Sequence, residues 1–153
     1  MKISVMGIEY NHLLSGKALA EMGNEVTYIS KDNRRINNIK RGYYNSDEAM
    51  VIKNLDIKEN IGFSTDVKAA LSNTNMCFIS EGITNEESDN MEEILNAAKV
   101  VGENMSSHLF IVDRSDASQS RIGQIKETIQ EALSKRKENI TFEVIANPDF
   151  LRN

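Results

Sequence analysis

The first thirty-two residues leave the rest of the chain little choice. Lys2-Ile3-Ser4-Val5-Met6 predicts a short buried strand, and Gly7 follows at once. His12 to Met22 carries Leu13, Leu14, Ala18, Leu19 and Met22 at helical spacing, until Gly23-Asn24 stops the run. Glu25 to Ile29 predicts a second strand, ending at Ser30-Lys31-Asp32. Strand, tight turn, helix and strand in about thirty residues form a βαβ unit. Such a unit commits the chain to parallel pairing, because parallel neighbours need a crossover connection.

The same alternation continues downstream. Asn33 to Arg41 predicts a short helix stopped by Gly42, Tyr43 to Asp47 a loop, and Glu48 to Leu55 a turn or two of helix. Ile61 to Ser64 predicts a strand, and Ser64 or Thr65 a cap for a helix over Asp66 to Leu71. Asn75 to Ser80 is a continuous apolar run, as a central parallel strand requires. A polar loop, Glu81 to Ser88, leads to an amphipathic helix over Asp89 to Glu103, with Met91, Ile94, Leu95, Ala98 and Val101 on one face. Leu109 to Val112 is the next strand, Asp113 to Ser118 a loop, Gln119 to Lys137 a long helix and Thr141 to Ala146 a last strand. The pattern predicts an α/β fold: a doubly wound parallel sheet, Rossmann-like, of about six strands in the order 3-2-1-4-5-6 with helices on both faces.

At 153 residues the chain reads as a single domain, 1–153, large enough for its own core. A net charge of -5 gives no basic surface for nucleic acid. No apolar run is long enough to predict a membrane span, and no leader peptide is expected. The single cysteine, Cys77, has no internal disulfide partner, which fits a cytoplasmic location. Two histidines far apart and one cysteine predict no metal site.

Ligands of doubly wound sheets bind at the carboxyl ends of the strands. The turn after the first strand is therefore the informative one. A dinucleotide fingerprint there reads G-x-G-x-x-G: one glycine for the tight turn, one for backbone approach to the pyrophosphate, one for helix–strand packing. This chain has Gly7-Ile8-Glu9-Tyr10-Asn11-His12, with only the first glycine. Glu9 stands at the second position and would repel a pyrophosphate by roughly 1 to 4 kcal/mol at contact distance. It also suits the helix dipole and could stabilise an empty site. His12 could pair with Glu9 or meet a phosphate; the simpler expectation is a partly exposed polar residue in the first helical turn. At the second-strand end, Ser30, Lys31, Arg34 and Arg35 are the kind of cluster that accommodates a 2′-phosphate, so NADP is a candidate beside NAD. The alternative is a solvated helix start.

The chain resembles the UDP-glucose/GDP-mannose dehydrogenases, over their first domain. Tyr10 matches the tyrosine of the family's G-x-G-Y-V-G turn, and Ala18 to Val26 match its A-x-x-G-H/N-x-V segment closely. Ser64-Thr65-Asp66 before an alanine-containing helix also fits, and Asn147-Pro148-Asp149-Phe150-Leu151-Arg152 is similar to N-P-E-F-L-R. The resemblance implies an NAD-binding domain of an oxidoreductase that oxidises a nucleotide sugar such as UDP-glucose at C6.

Taken together, the β2-end cluster and the resemblance make Gly7, Tyr10, Ser30, Lys31, Asp32, Arg35 and Ser115 the candidate cofactor contacts. It implies catalytic positions at Asp116, where the family has a threonine, and Asp149, where it has a glutamate. Ser118 stands at a family proline. The family's cysteine nucleophile lies in a later domain, beyond Asn153, so no turnover is expected from these residues alone. Cys77, inside a predicted strand, is expected to be a core residue. The expected partners are a dinucleotide, a UDP-sugar, and either a second copy of the chain or the family's C-terminal domain. A different class also fits: a Rossmann domain with altered site loops, serving as a non-catalytic binding or assembly module. A third option holds an anion without redox chemistry, using Arg114, Arg121 or Lys31.

Overall fold

The computed structural model describes residues 1–41, 60–80, 91–113 and 119–146. The strands are β1 (Lys2–Met6), β2 (Glu25–Ile29), β3 (Ile61–Ser64), β4 (Met76–Ser80), β5 (Leu109–Asp113) and β6 (Phe142–Ala146). The helices among the described residues are α1 (Tyr10–Glu21), α2 (Asn33–Lys40), α3 (Val67–Ser72), α4 (Met91–Asn104) and α5 (Gln119–Lys135). The expected loop over Tyr43 to Asp47, the helix over Glu48 to Leu55 and the loop over Glu81 to Ser88 lie outside the described residues.

All six described strands are parallel, in the order β3-β2-β1-β4-β5-β6. The chain reverses direction across the sheet between β1 and β4, where Ile3 pairs with Met76 and Val5 with Phe78. That crossing point is the switch point, and the carboxyl ends of β1 and β4 border its crevice.

Side chains alternate between the two faces at the strand period of two. Ile3, Val5, Tyr28, Phe78 and Val112 join Leu13, Leu19, Ile36 and Ile39 in one core layer, under α1 and α2. Cys77, Ile79, Leu109 and Ile111 join Val67, Leu71, Ile94, Ala98, Ile125 and Leu133 in the other, under α3, α4 and α5. Ser4, on the central strand, is fully buried and its hydroxyl bonds the Thr74 hydroxyl.

Two local features differ from what spacing and capping rules alone suggest. Ala18 and Met22 are not core residues; Met22 is 55 % exposed. They lie on the outer edge of α1, Leu14 is partly buried against the core, and Leu13, Gly16, Leu19 and Ala20 turn inward. The cap of α3 is Asp66, whose Oδ1 accepts from the Ala69 N–H at 3.1 Å. Ser64 Oγ accepts the N–H of Asp66 one turn earlier, at 3.1 Å.

Close helix–strand approach occurs at Gly16. A Cβ there would lie 2.2 Å from the Tyr28 hydroxyl oxygen, which itself donates to the Leu13 carbonyl at 2.8 Å. A glycine at this position of α1 is therefore required by the tyrosine beneath it.

Candidate functional site

The turn between β1 and α1 closes tightly. Gly7 has φ +136°, a left-handed conformation that favours glycine. Its N–H reaches the Ile29 carbonyl at 2.9 Å, which ties the turn to the end of β2. The first glycine of the fingerprint thus does what its position predicts.

The third position does something else. The His12 imidazole folds back over the turn: a Cβ placed on Gly7 would meet its ring atoms at 2.4 to 2.6 Å. Nδ1 of His12 accepts the backbone N–H of Glu9 at 3.1 Å. This is the return half of a capping box, with Glu9 at the N-cap and His12 at N3. A ring in this place consumes one of the N–H donors that a helix N-terminus offers an anion. His12 accordingly contacts the backbone of Glu9, and its role is more specific than that of a partly exposed surface residue.

Arg35, from the first turn of α2, reaches across to the same turn. Its Nε donates to the Ile8 carbonyl at 3.2 Å, and Nη2 lies 4.0 Å from the Glu9 carboxylate. The Glu9 side chain is 73 % exposed, so this ion pair is weak and serves chiefly to orient. At the end of β2 the polar groups are engaged locally. Ser30 Oγ accepts the N–H of Asp32 at 3.1 Å, and Asp32 Oδ1 accepts the N–H of Arg35 at 3.0 Å as the N-cap of α2. Lys31 and Arg34 are exposed. Gly7, Ser30, Asp32 and Arg35 therefore share one end of the sheet, and Tyr10 begins α1 beside them. Ser115, Asp116 and Asp149 lie outside the described residues.

A buried ion pair stands at the end of β5. Arg121, in the first turn of α5, donates from Nε to Asp113 Oδ2 at 2.7 Å and from Nη2 to Oδ1 at 3.2 Å. Asp113 is fully buried and Arg121 is 6 % exposed. A cation at the positive end of a helix dipole needs a carboxylate beside it, and Asp113 provides it. Arg121 is thus not the solvent-facing anion ligand that its sequence position suggests. Asp113 closes the strand instead of opening a loop. A strand-end acid followed eight residues later by a helix-start arginine is the only sequence signal for the pair.

Burial pushes the Cys77 thiol up to about 12. A protonated thiol in the middle of β4, fully buried, is a packing residue and not a nucleophile. Among the described residues no group of three His, Cys, Asp or Glu side chains could hold a metal ion, and no helix is long and apolar enough to cross a membrane.

This sheet order, with a left-handed glycine between the first strand and its helix at the switch point, defines a dinucleotide-binding domain of the Rossmann class. The chain belongs to the UDP-glucose/GDP-mannose dehydrogenase family: the family's NAD binding domain matches residues 1–153. It is 28% identical over 156 residues to the UDP-glucose 6-dehydrogenase TuaD of Bacillus subtilis, covering 99% of this chain and 33% of that protein. It is 30% identical over 159 residues to the UDP-glucose 6-dehydrogenase YwqF of the same organism, covering 99% and 35%. Among solved structures, a UDP-glucose dehydrogenase from Pyrobaculum islandicum superimposes with a TM-score of 0.74 at 19% identity, over 99% of this chain and 36% of that one. A GDP-mannose dehydrogenase from Pseudomonas aeruginosa superimposes with a TM-score of 0.71 at 20% identity, over 100% and 37%. The chain spans about a third of the length of the curated relatives it matches.

The turn does not fit a pyrophosphate in the conformation described. The His12 ring fills the space against Gly7, its Nδ1 takes the Glu9 N–H, and the Glu9 carboxylate adds a negative charge where the phosphates would approach.

Proposed function

We propose that this chain is the nucleotide-binding part of a UDP-sugar 6-dehydrogenase-like oxidoreductase, and that the 153 residues alone bind NAD(H) weakly and do not turn over a nucleotide sugar. The observation that carries the reading is the left-handed Gly7 turn at the switch point of a 3-2-1-4-5-6 parallel sheet. Family membership over the whole chain supports the same reading. Gly7, Tyr10, Ser30, Lys31, Asp32, Arg35 and Ser115 would border the dinucleotide, with Asp116 and Asp149 on the sugar side. A UDP-sugar, the C-terminal domain of the longer relatives and a second copy of the chain are the partners in this proposal, in a cytoplasmic setting.

Cofactor choice follows from the β2 end. Ser30 carries no charge for a pair of ribose hydroxyls, and Asp32 is engaged as the cap of α2. The cations Lys31, Arg34 and Arg35 cluster there, so NADP competes with NAD on better terms than an acid at Ser30 would allow.

The test is a calorimetric titration of the 153-residue protein with NAD, NADH, NADP and NADPH. Saturable binding of any of the four, weaker than micromolar, is the expected result. Micromolar affinity would overturn the proposal of weak binding while leaving a working dinucleotide domain. No heat with any of them, and none after the turn is opened by substitution, would favour the second reading: a binding or assembly module that has kept the family's frame. The closed turn is the observation that favours that second reading.

A further inference from the structure

The misfit at the turn has a definite physical origin. Three groups from two elements converge on the backbone of residues 7 to 9. The His12 ring covers Gly7 and accepts the Glu9 N–H at 3.1 Å. Arg35 Nε donates to the Ile8 carbonyl at 3.2 Å from the other side. The Glu9 carboxylate, largely exposed, lies 4.0 Å from Arg35 Nη2. The Glu9 N–H and the Ile8 carbonyl are thus taken by the chain's own side chains. An ordinary phosphate turn keeps its N–H groups for the ligand.

We infer that the turn is closed from within: His12 is an internal stand-in for the phosphate, held by a bond to Glu9 and braced by Arg35, and a dinucleotide must displace it before binding. This rests on the dinucleotide reading above and deepens it, by naming the residue that sets the affinity. The ring and a phosphate cannot occupy the same space against Gly7, so the two states exclude each other. The ligand's apparent affinity is then its affinity for the open turn multiplied by the open fraction. Opening breaks one neutral hydrogen bond and exposes the contact between ring and glycine. That sets the closed state ahead by roughly tenfold on the usual net worth of such a bond.

The closure has a sequence counterpart. The third fingerprint position tolerates glycine or alanine, both too short to reach back over the turn. Histidine is long enough to reach, and its unprotonated Nδ1 is an acceptor at the right spacing for the N-cap N–H.

The experiment is NMR on the isotopically labelled 153-residue protein, with a His12→Ala variant beside it and NADH as the probe. In the free protein the closed turn requires a nuclear Overhauser contact between the His12 ring and the Gly7 α protons, and a Glu9 amide protected from exchange. Both are expected, both are expected to vanish as NADH saturates, and His12→Ala is expected to bind about tenfold more tightly. Absence of the ring contact in the free protein overturns the inference without reference to any variant. A ring contact that persists in the NADH complex, or equal affinity of the two proteins, overturns it while leaving the dinucleotide reading in place. A ring contact present with no binding by either protein overturns the gating role together with that reading. Because the ring contact is read on the unaltered chain, failure of His12→Ala to fold does not block the test.

Discussion

Four buried side chains show how differently this core treats polarity. Cys77 is held as a thiol: burial raises it from 9.0 to about 12. In the unfolded chain the thiol ionises near its ordinary value, so the native state loses advantage as the pH rises. The contribution of the protonated thiol is complete below about pH 9 and falls by about 1.4 kcal/mol per pH unit above it. The stability gap between the unaltered chain and Cys77→Ala should therefore shrink between pH 9 and 12, read from urea midpoints. A gap that stays constant would mean that folded and unfolded thiols ionise alike. Tyr28 works in the same direction, since burial pushes its phenol above the usual range. Asp113 and Arg121 instead face each other through two hydrogen bonds. Asp113→Ala leaves the guanidinium buried without its carboxylate and should cost about 3 to 5 kcal/mol. Replacing both, as Asp113→Leu with Arg121→Met, should cost less than that single change. A double-mutant cycle with no coupling would show that the pair carries no interaction energy.

Among the elements, the helix ends are the most telling. α1 and α5 finish with the same device. Gly23 N–H reaches the Ala20 carbonyl at 3.0 Å and Asn24 N–H the Leu19 carbonyl at 3.4 Å, with Gly23 at φ +95°. Lys137 N–H reaches Ser134 and Glu138 N–H reaches Leu133, both at 3.0 Å, with Lys137 at φ +57°. Both are Schellman motifs, and only the first has the glycine its left-handed residue favours. Lys137→Gly should therefore stabilise the protein by about 1 kcal/mol, seen as a higher urea midpoint at unchanged slope. A destabilised variant would mean that the lysine side chain contributes more than its backbone costs. Arg136, next to it, donates Nη1 to the carbonyls of Gly102 and Met105 at 2.8 and 2.9 Å, so the end of α5 satisfies the end of α4. The two helices also meet closely, for a Cβ on Gly102 would lie 2.8 Å from that of Ala132.

At the scale of the molecule, the strand order and nearly every element could be read from period and punctuation. Apolar runs of five residues, glycine stops and helical spacing are local signals, and the sheet obeys them. The face of α1 is less legible, because Ala18 and Met22 are apolar and at helical spacing yet exposed; only the sheet beneath decides which face turns inward. The candidate site divides in the same way. Gly7 announced itself through its place after a strand. The fold of His12 over Gly7, the reach of Arg35 to Ile8 and the Asp113–Arg121 pair depend on side-chain direction across elements, which spacing along the chain does not encode.

The central pairing of β1 with β4 also governs when this protein can begin to exist. The Ser4–Thr74 bond joins residues 70 positions apart, and Ile3 sits beside Met76. During synthesis β1 must wait, with one edge open, for β4. Loop closure over such distances slows folding, and an open apolar edge invites pairing with a neighbour in the meantime. A nascent chain halted before β4 would keep that edge of β1 open, and β4 is the strand whose arrival covers it.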